Sequence, residues 1–444
     1  MSTSSYRQKT TAVWSVPSSW KRGVVAAMIL IVPLLTTLLG PSARAQDEAG
    51  PLRIGALFPF TGDLSTFGPL FLDVAEFAVN EINAGGGVNG QPIEIVQGDS
   101  ATSPQQAVEE ARRLIELEDV SAIVGPAGSG EALPTMESVA GPAGVLVISP
   151  SATSPALTIA NDDDFFFRTT ISDAAQGPVM ADLAKELGYE SACILYVNNA
   201  YGQGLNDAFA ERFTAEGGEV TAQVPHEQEQ ASYASELASC TEGDPDVLIA
   251  IAYPESGGVF LRELVEAGDA PGIIFSDGLK APDLFADLGW DVFEGAYGTA
   301  ATGSAETEIG ASFDEVFEAE YGVSPAYPYL PQVYDAVYLI ALAAEQVDSV
   351  DSPAIRDALR EVASEPGRTV NPGTEGWQAA VEAIDAGEDV NYEGAGGPAE
   401  FDQNGDIAKG TIEIWKVEGG DLVTEETRDF DLTEIAESAA TPVA

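Results

Sequence analysis

VGPAGSG at residues 124–130 and ISPSATSP at residues 148–155 each follow a short apolar run. A strand that runs into such a turn is a unit of an α/β sheet, and in these sheets the turns line the ligand crevice. Ser129 and Thr153 offer hydroxyls beside glycine- or proline-marked backbone whose N–H groups point outward, which suits a small carboxylate. The same residues also suit helix capping, the ordinary role of Ser and Thr at strand-to-helix loops. Nothing near either turn looks like a catalytic base.

Working outward, short β-rich runs alternate with amphipathic helices, the pattern of a doubly wound parallel sheet, and they do so twice. The first series predicts strands at 52–58, 92–97, 122–124, 145–149 and 165–168. A helix at 104–118 starts at Ser103, with Pro104 at its first position and Gln106 completing a capping box. The second series predicts strands at 192–197, 219–224, 247–252, 273–275 and 295–299. Helices follow at 305–321, 330–346 and 353–363, then a Gly- and Pro-rich segment to Pro398, and a final hairpin built from Phe401 and residues 411–417.

Residues 1–45 read as a cleaved secretory leader: four basic residues, an apolar stretch at 23–39, and the exit Ala43-Arg44-Ala45. The leader contains no cysteine to carry a lipid, so the expected product is a soluble exported protein. Lys+Arg 19 against Asp+Glu 72 gives −53. The leader removes five basic and no acidic residues, leaving 14 against 72, or −58. Repulsion on that scale destabilises a compact chain in dilute buffer and is screened by salt, which reads as adaptation to brine. With no basic patch, nucleic acid and anionic membranes are excluded as partners. Cys193 and Cys240 are the two cysteines. Either they form a bridge at one end of a sheet, which export permits, or they are two buried thiols.

In this order, LRIGALFPFTGDLSTFG, VNEINAGGGVNGQPIEIV, IVGPAGSG, ISPSATSPALT, FFFRTT, NNAYGQG, SDG and GPAEFDQNGD resemble the exported solute-binding proteins of the branched-chain amino acid type, receptors of ABC importers. The resemblance implies an α/β fold of two doubly wound parallel-sheet lobes joined by a three-crossover hinge, the type I periplasmic binding protein fold. It divides the chain into lobe 1 at 52–170 and 301–395, lobe 2 at 171–300 and 396–432, and a tail at 433–444. It also implies that Ser129 and Thr153, with Ala127 and Gly128 in the same turn, hold a ligand carboxylate. Ser151 offers a carbonyl to the ligand ammonium, which Asp277 pairs from the opposite lobe, while Phe67, Tyr201 and Tyr253 are aromatic walls. Relatives often carry Glu at the position of Asp277, and leucine-binding relatives a larger residue at Ala127, which implies a roomier pocket here.

Other motifs are set aside on their chemistry. Gly85, Gly87 and Gly90 fit G-x-G-x-x-G but follow a helix and precede a strand, the reverse of a dinucleotide site, so they form a turn. Asp402, Asn404 and Asp406 lack the glycine spacing of a calcium loop and read as a hairpin turn. Asp162 to Asp164 read as a solvated acidic run. His226, the single histidine, is placed in a polar loop, and no G-x-S-x-G elbow surrounds Ser129, so a Ser-His-Asp hydrolase lacks its parts. The expectation is a monomeric, non-enzymatic periplasmic receptor with no cofactor or metal. It captures a small aliphatic or branched amino acid for a membrane permease. The alternatives are a urea or short-amide receptor and a sensory module of the kind that continues into a membrane span.

Overall fold

Five short strands pair in parallel in the order β2-β1-β3-β4-β5: β1 (Arg53–Phe58), β2 (Glu94–Asp99), β3 (Ala122–Val124), β4 (Leu146–Ser149) and β5 (Phe166–Arg168). Parallel strands covered on both faces must be apolar on both, and β3 and β4 are buried along their whole length. The pleat sends Ala56 and Phe58 into one core and Leu57 into another, where Ile123, Val147 and Phe166 join it. The computed structural model describes residues 50–432 except 269–270, 304–306 and 408. The expected leader and the tail at 433–444 lie outside the described residues.

The second series repeats this arrangement. β6 (Ser191–Val197), β7 (Glu219–His226), β8 (Val247–Ile251), β9 (Gly272–Phe275) and β10 (Tyr297–Thr302) run parallel in the order β7-β6-β8-β9-β10. A small sheet of β11 (Arg368–Val370), β12 (Val390–Gly394) and β13 (Gly397–Pro398) comes next. β14 (Lys409–Glu418) and β15 (Asp421–Asp431) then add antiparallel to the β10 edge. Both parallel series reverse direction beside their first strand, between β1 and β3 and between β6 and β8. Such switch points are where open α/β sheets bind ligands. The chain passes between the two large sheets after β5, after β10 and between β13 and β14, the three crossings expected of the hinge.

One buried ion pair ties two crossings together. Arg168, fully buried at the end of β5, donates to Asp406 at 2.6 and 2.8 Å, and its main-chain N–H donates to Gly405 O at 3.0 Å. Its remaining nitrogen, Nη1, donates to the carbonyls of Ala152 and Ser154 at 3.2 and 3.0 Å, so the same guanidinium also holds the 151–154 turn. Asp402 caps the turn by accepting from the amides of Asn404 and Asp406. Asp402, Asn404 and Asp406 thus form a turn, as expected, though Asp406 faces inward.

Several expectations need correction. His226 is not in a polar loop: β7 runs on to include it, and burial against Tyr233 and Phe260 lowers its pKa. The final hairpin pairs β14 with β15, turning at Gly419 and Gly420 (φ +64° and +86°). Phe401 instead makes an isolated bridge with Ile407 and packs on Phe167. The polar face of β15 at the sheet edge hid it. The Gly- and Pro-rich segment holds β11 to β13 and a helix, Thr374–Asp385, whose Trp377, Ala380 and Ala383 are buried on one face. Asp164 is not simply solvated but grips Arg360 at 2.6 and 3.0 Å. Ser103 caps Gln106 N, but the return bond is replaced by Ser103 N–H donating to Ser100 O. Cys193 and Cys240 form a disulfide, with Cα atoms 5.5 Å apart, which decides the alternative left open above.

Candidate functional site

The turns at the two switch points face one another across a cleft. On the first lobe, the helix Phe67–Ala84 starts after β1 and the helix Ser129–Thr135 starts after β3, which brings Phe67 and Ser129 to the crevice. The turn into the second helix depends on Gly125 (φ +111°), where a Cβ would lie 2.2 Å from Leu57 O. On the other lobe, Asn199 caps the helix Ala200–Ala215 by accepting from Gly202 N, which sets Tyr201 in its first turn. Tyr253 immediately precedes the Pro-started helix Pro254–Ala267. Its hydroxyl accepts from Asn199 Nδ2 at 3.0 Å, and its ring stacks on Tyr201 at 5.5 Å. Asp277 opens the turn after β9, and Gly278 beside it admits no Cβ, which would meet Ala252 O at 2.4 Å.

Phe67, Ala127, Gly128, Ser129, Ser151, Tyr201, Tyr253 and Asp277 line one cavity of about 30 Å³. Ala127 does not make this pocket roomy, because Leu64, Phe71 and Tyr329 also press into it. Thr153 stands behind the wall: its Oγ1 donates to Asp173 Oδ2 at 2.9 Å. Ser129 Oγ accepts from Ser154 N at 3.1 Å, which leaves its own proton to donate. Ser151 Oγ donates to Ala127 O at 3.0 Å. Gly128 N–H donates to the buried Glu131, whose carboxyl is pushed up to about 7 by burial. A larger groove of about 830 Å³ along the crossings, between Thr169 and Asp431, shares no residue with this cavity.

Asp277 is the electrostatic centre. Buried, it accepts from Gln176 Nε2 at 2.9 Å and Tyr201 OH at 2.7 Å on Oδ1, and from Tyr329 OH at 2.7 Å on Oδ2. A carboxylate has about four acceptor positions, so one remains. Burial raises the pKa of Asp277, and the three donors oppose that rise. Asp173, also buried, is raised well above the usual carboxylate range by burial and then by Asp277, with one side-chain donor, Thr153, and the positive charge of Arg168 to offset it. The donor count separates the two: three side-chain donors favour the charged form of Asp277 and one that of Asp173. Tyr201, Tyr253 and Tyr329 are all raised by burial and remain hydroxyl donors. Among the described residues, no Lys, Arg or His lines the cavity. A carboxyl group with three donors therefore faces the space without a cationic side chain beside it.

Asp173, Gln176 and Tyr329 were not singled out from the sequence. The first two lie in the opening turns of the helix Asp173–Glu186, which begins just after the first crossing, and that placement was the available signal. Tyr329 lies between two helices, and only the fold brings it to Asp277.

The family model described as Periplasmic binding protein matches residues 51–421. The Halobacterium salinarum protein named Chemotactic signal transduction system substrate-binding protein BasB is 33% identical over 356 residues, 78% of this chain and 82% of that one. Among solved structures, the branched-chain amino acid transporter substrate binding protein LivJ from Streptococcus pneumoniae, in complex with isoleucine, superposes with a TM-score of 0.71 at 24% identity, covering 86% of this chain and 99% of that one. A solute binding protein from R. palustris in complex with benzoate gives 0.68 at 21%, covering 85% and 96%. These likenesses show the fold.

Proposed function

Because the chain belongs to the periplasmic binding protein family, whose members bind ligands and are not enzymes, we propose that its cleft takes the zwitterion of a small aliphatic or branched α-amino acid and closes over it. The loaded protein acts outside the cytoplasm, after loss of the leader, as a monomer that delivers the amino acid to a membrane permease driven by a cytoplasmic ATPase.

The observation that carries this reading is Asp277: a buried carboxylate with three neutral donors, one acceptor position left and no cationic side chain among the cavity-lining residues. An ammonium supplies the missing charge. A benzoate, the ligand of one structural neighbour, would bring a second anion into a space that already holds one. Urea would offer hydrogen bonds but no charge. On the opposite side, Ser129 has a proton to give to the ligand's carboxylate. Each charge-assisted hydrogen bond contributes about 1.5–3 kcal/mol, so a few of them with apolar burial reach the ~8–12 kcal/mol of micromolar to nanomolar binding.

The relative named for chemotaxis favours a second reading of the same cleft, in which the closed, loaded protein is presented to a membrane transducer instead of a permease. Capture of the ligand is common to both.

Calorimetry in high salt against the twenty amino acids, urea, acetamide and benzoate tests the proposal. The expected result is micromolar or tighter binding of an aliphatic α-amino acid, abolished in Asp277→Ala. Binding of urea or benzoate while every amino acid fails would replace it.

A further inference from the structure

Two of the three side-chain donors to Asp277 come from its own lobe, and one does not. Gln176 and Tyr201 sit on the helices Asp173–Glu186 and Ala200–Ala215, which pack on each other and on the seven-stranded sheet that carries Asp277. Tyr329 immediately precedes the helix Leu330–Gln346, which packs on the helix Phe67–Ala84 and on β3 and β4 of the five-stranded sheet. Its hydrogen bond to Asp277 Oδ2, 2.7 Å long, therefore spans the cleft. Tyr329 is also held at φ +69°, a left-handed conformation that a bulky residue adopts only when its surroundings impose it, and such residues cluster at functional sites. Two residues earlier, Tyr327 packs edge-on against Phe67 and lies near Asp283, which is in the helix Pro282–Leu288 beyond Asp277.

We propose that Tyr329 is a positioning residue that couples closure of the lobes to Asp277: its hydroxyl fixes Oδ2 for the ligand ammonium and is withdrawn when the lobes part. This rests on the reading of Asp277 given above. Of the three donors to Asp277, Tyr329 is the one that an opening motion breaks, because the other two travel with the carboxylate. The bond thus adds to the stability of the closed state and orients the remaining acceptor position at the same time. It also helps hold Asp277 ionised. The other titratable groups facing Asp277 are Asp173, whose charge would oppose that ionisation, and Tyr201 and Tyr253; Arg168 acts on the pair through Asp173.

The test compares wild type with Tyr329→Phe, which keeps the ring and removes the hydroxyl. For the amino acid that binds best, stopped-flow dissociation should quicken about tenfold, the factor that about 1.4 kcal/mol represents, with association little changed. Acidification should abolish binding at a higher pH in the variant, because Asp277 has lost a donor that lowers its pKa. A residue that merely fills space would move neither the dissociation rate nor the acid limb, and unchanged values for both overturn the proposal. Small-angle scattering of the ligand-free proteins supplies an arm independent of ligand identity, with Tyr329→Phe expected to be more open on average. If no amino acid binds wild type, the reading of Asp277 fails; matching scattering curves would then overturn the coupling as well, and a more open variant would uphold it.

Discussion

Ser129 shows how far a single side chain can be argued. Its oxygen already accepts from Ser154 N, so its remaining capacity is as a donor into the cavity. Ser129→Ala should weaken amino acid binding by about 1.5–3 kcal/mol, the worth of a hydrogen bond to a charged group. Calorimetry would read this as at least a tenfold rise in Kd, and an unchanged Kd would remove Ser129 from the site. This residue was legible in the sequence because strand, turn and hydroxyl are contiguous there. Asp277 was legible for the same reason, in the turn that follows β9. Tyr329 was not, because its partner lies 52 positions away and across the cleft, a distance only tertiary structure closes. Thr153 was legible as a hydroxyl in the right turn, but its choice of Asp173 over the cavity depends on a helix that starts twenty residues later.

Among the elements, apolar strands declared themselves, down to the three-residue β3, while the polar β15 and the two-residue β13 did not. β7 and β15 are edge strands, with one side in solvent, so their alternation is diluted by charge, and β15 was missed altogether. β13 spans two residues, too few for any period to register. The disulfide depended on such placement: Cys193 lies on β6 and Cys240 on the helix Ala234–Thr241, which packs against β6 and β7. Both sulfurs are buried in the core. The bridge closes a loop of 47 residues, and removing such a cross-link releases loop entropy in the unfolded chain. Replacing both cysteines by Ala should therefore cost about 2–4 kcal/mol in chemical denaturation. Alkylation of unreduced, denatured protein should label neither cysteine, and labelling of both would contradict the bridge.

For the whole molecule, charge and burial act on stability in the same direction as pH rises. Glu131 and Asp335 have pKa values pushed up to about 7, and Asp63 and Asp314 to about 6, in each case chiefly by burial. A carboxyl whose folded pKa lies above its unfolded value near 4 holds its proton more tightly when folded. Its stabilising contribution is full below pH ~4 and is lost as pH climbs toward the folded value. Ionisation of the surface carboxylates over the same interval builds the repulsion of a chain at −53 before any processing. Salt separates the two effects, because it shortens the screening length from ~10 Å at 0.1 M to ~3 Å at 1 M but reaches buried groups poorly. Thermal melts at 0.1 M and 2 M KCl across pH 4.5–8 should show Tm falling with pH at both concentrations. Salt should raise Tm most at pH 8, and a shallower slope should survive at 2 M. Glu131→Gln keeps an acceptor for Gly128 N–H while removing the buried ionisation, so it should flatten that surviving slope. A high-salt slope that the variant leaves intact would assign the pH response to the surface alone, and melts indifferent to salt would remove the case for a protein suited to brine.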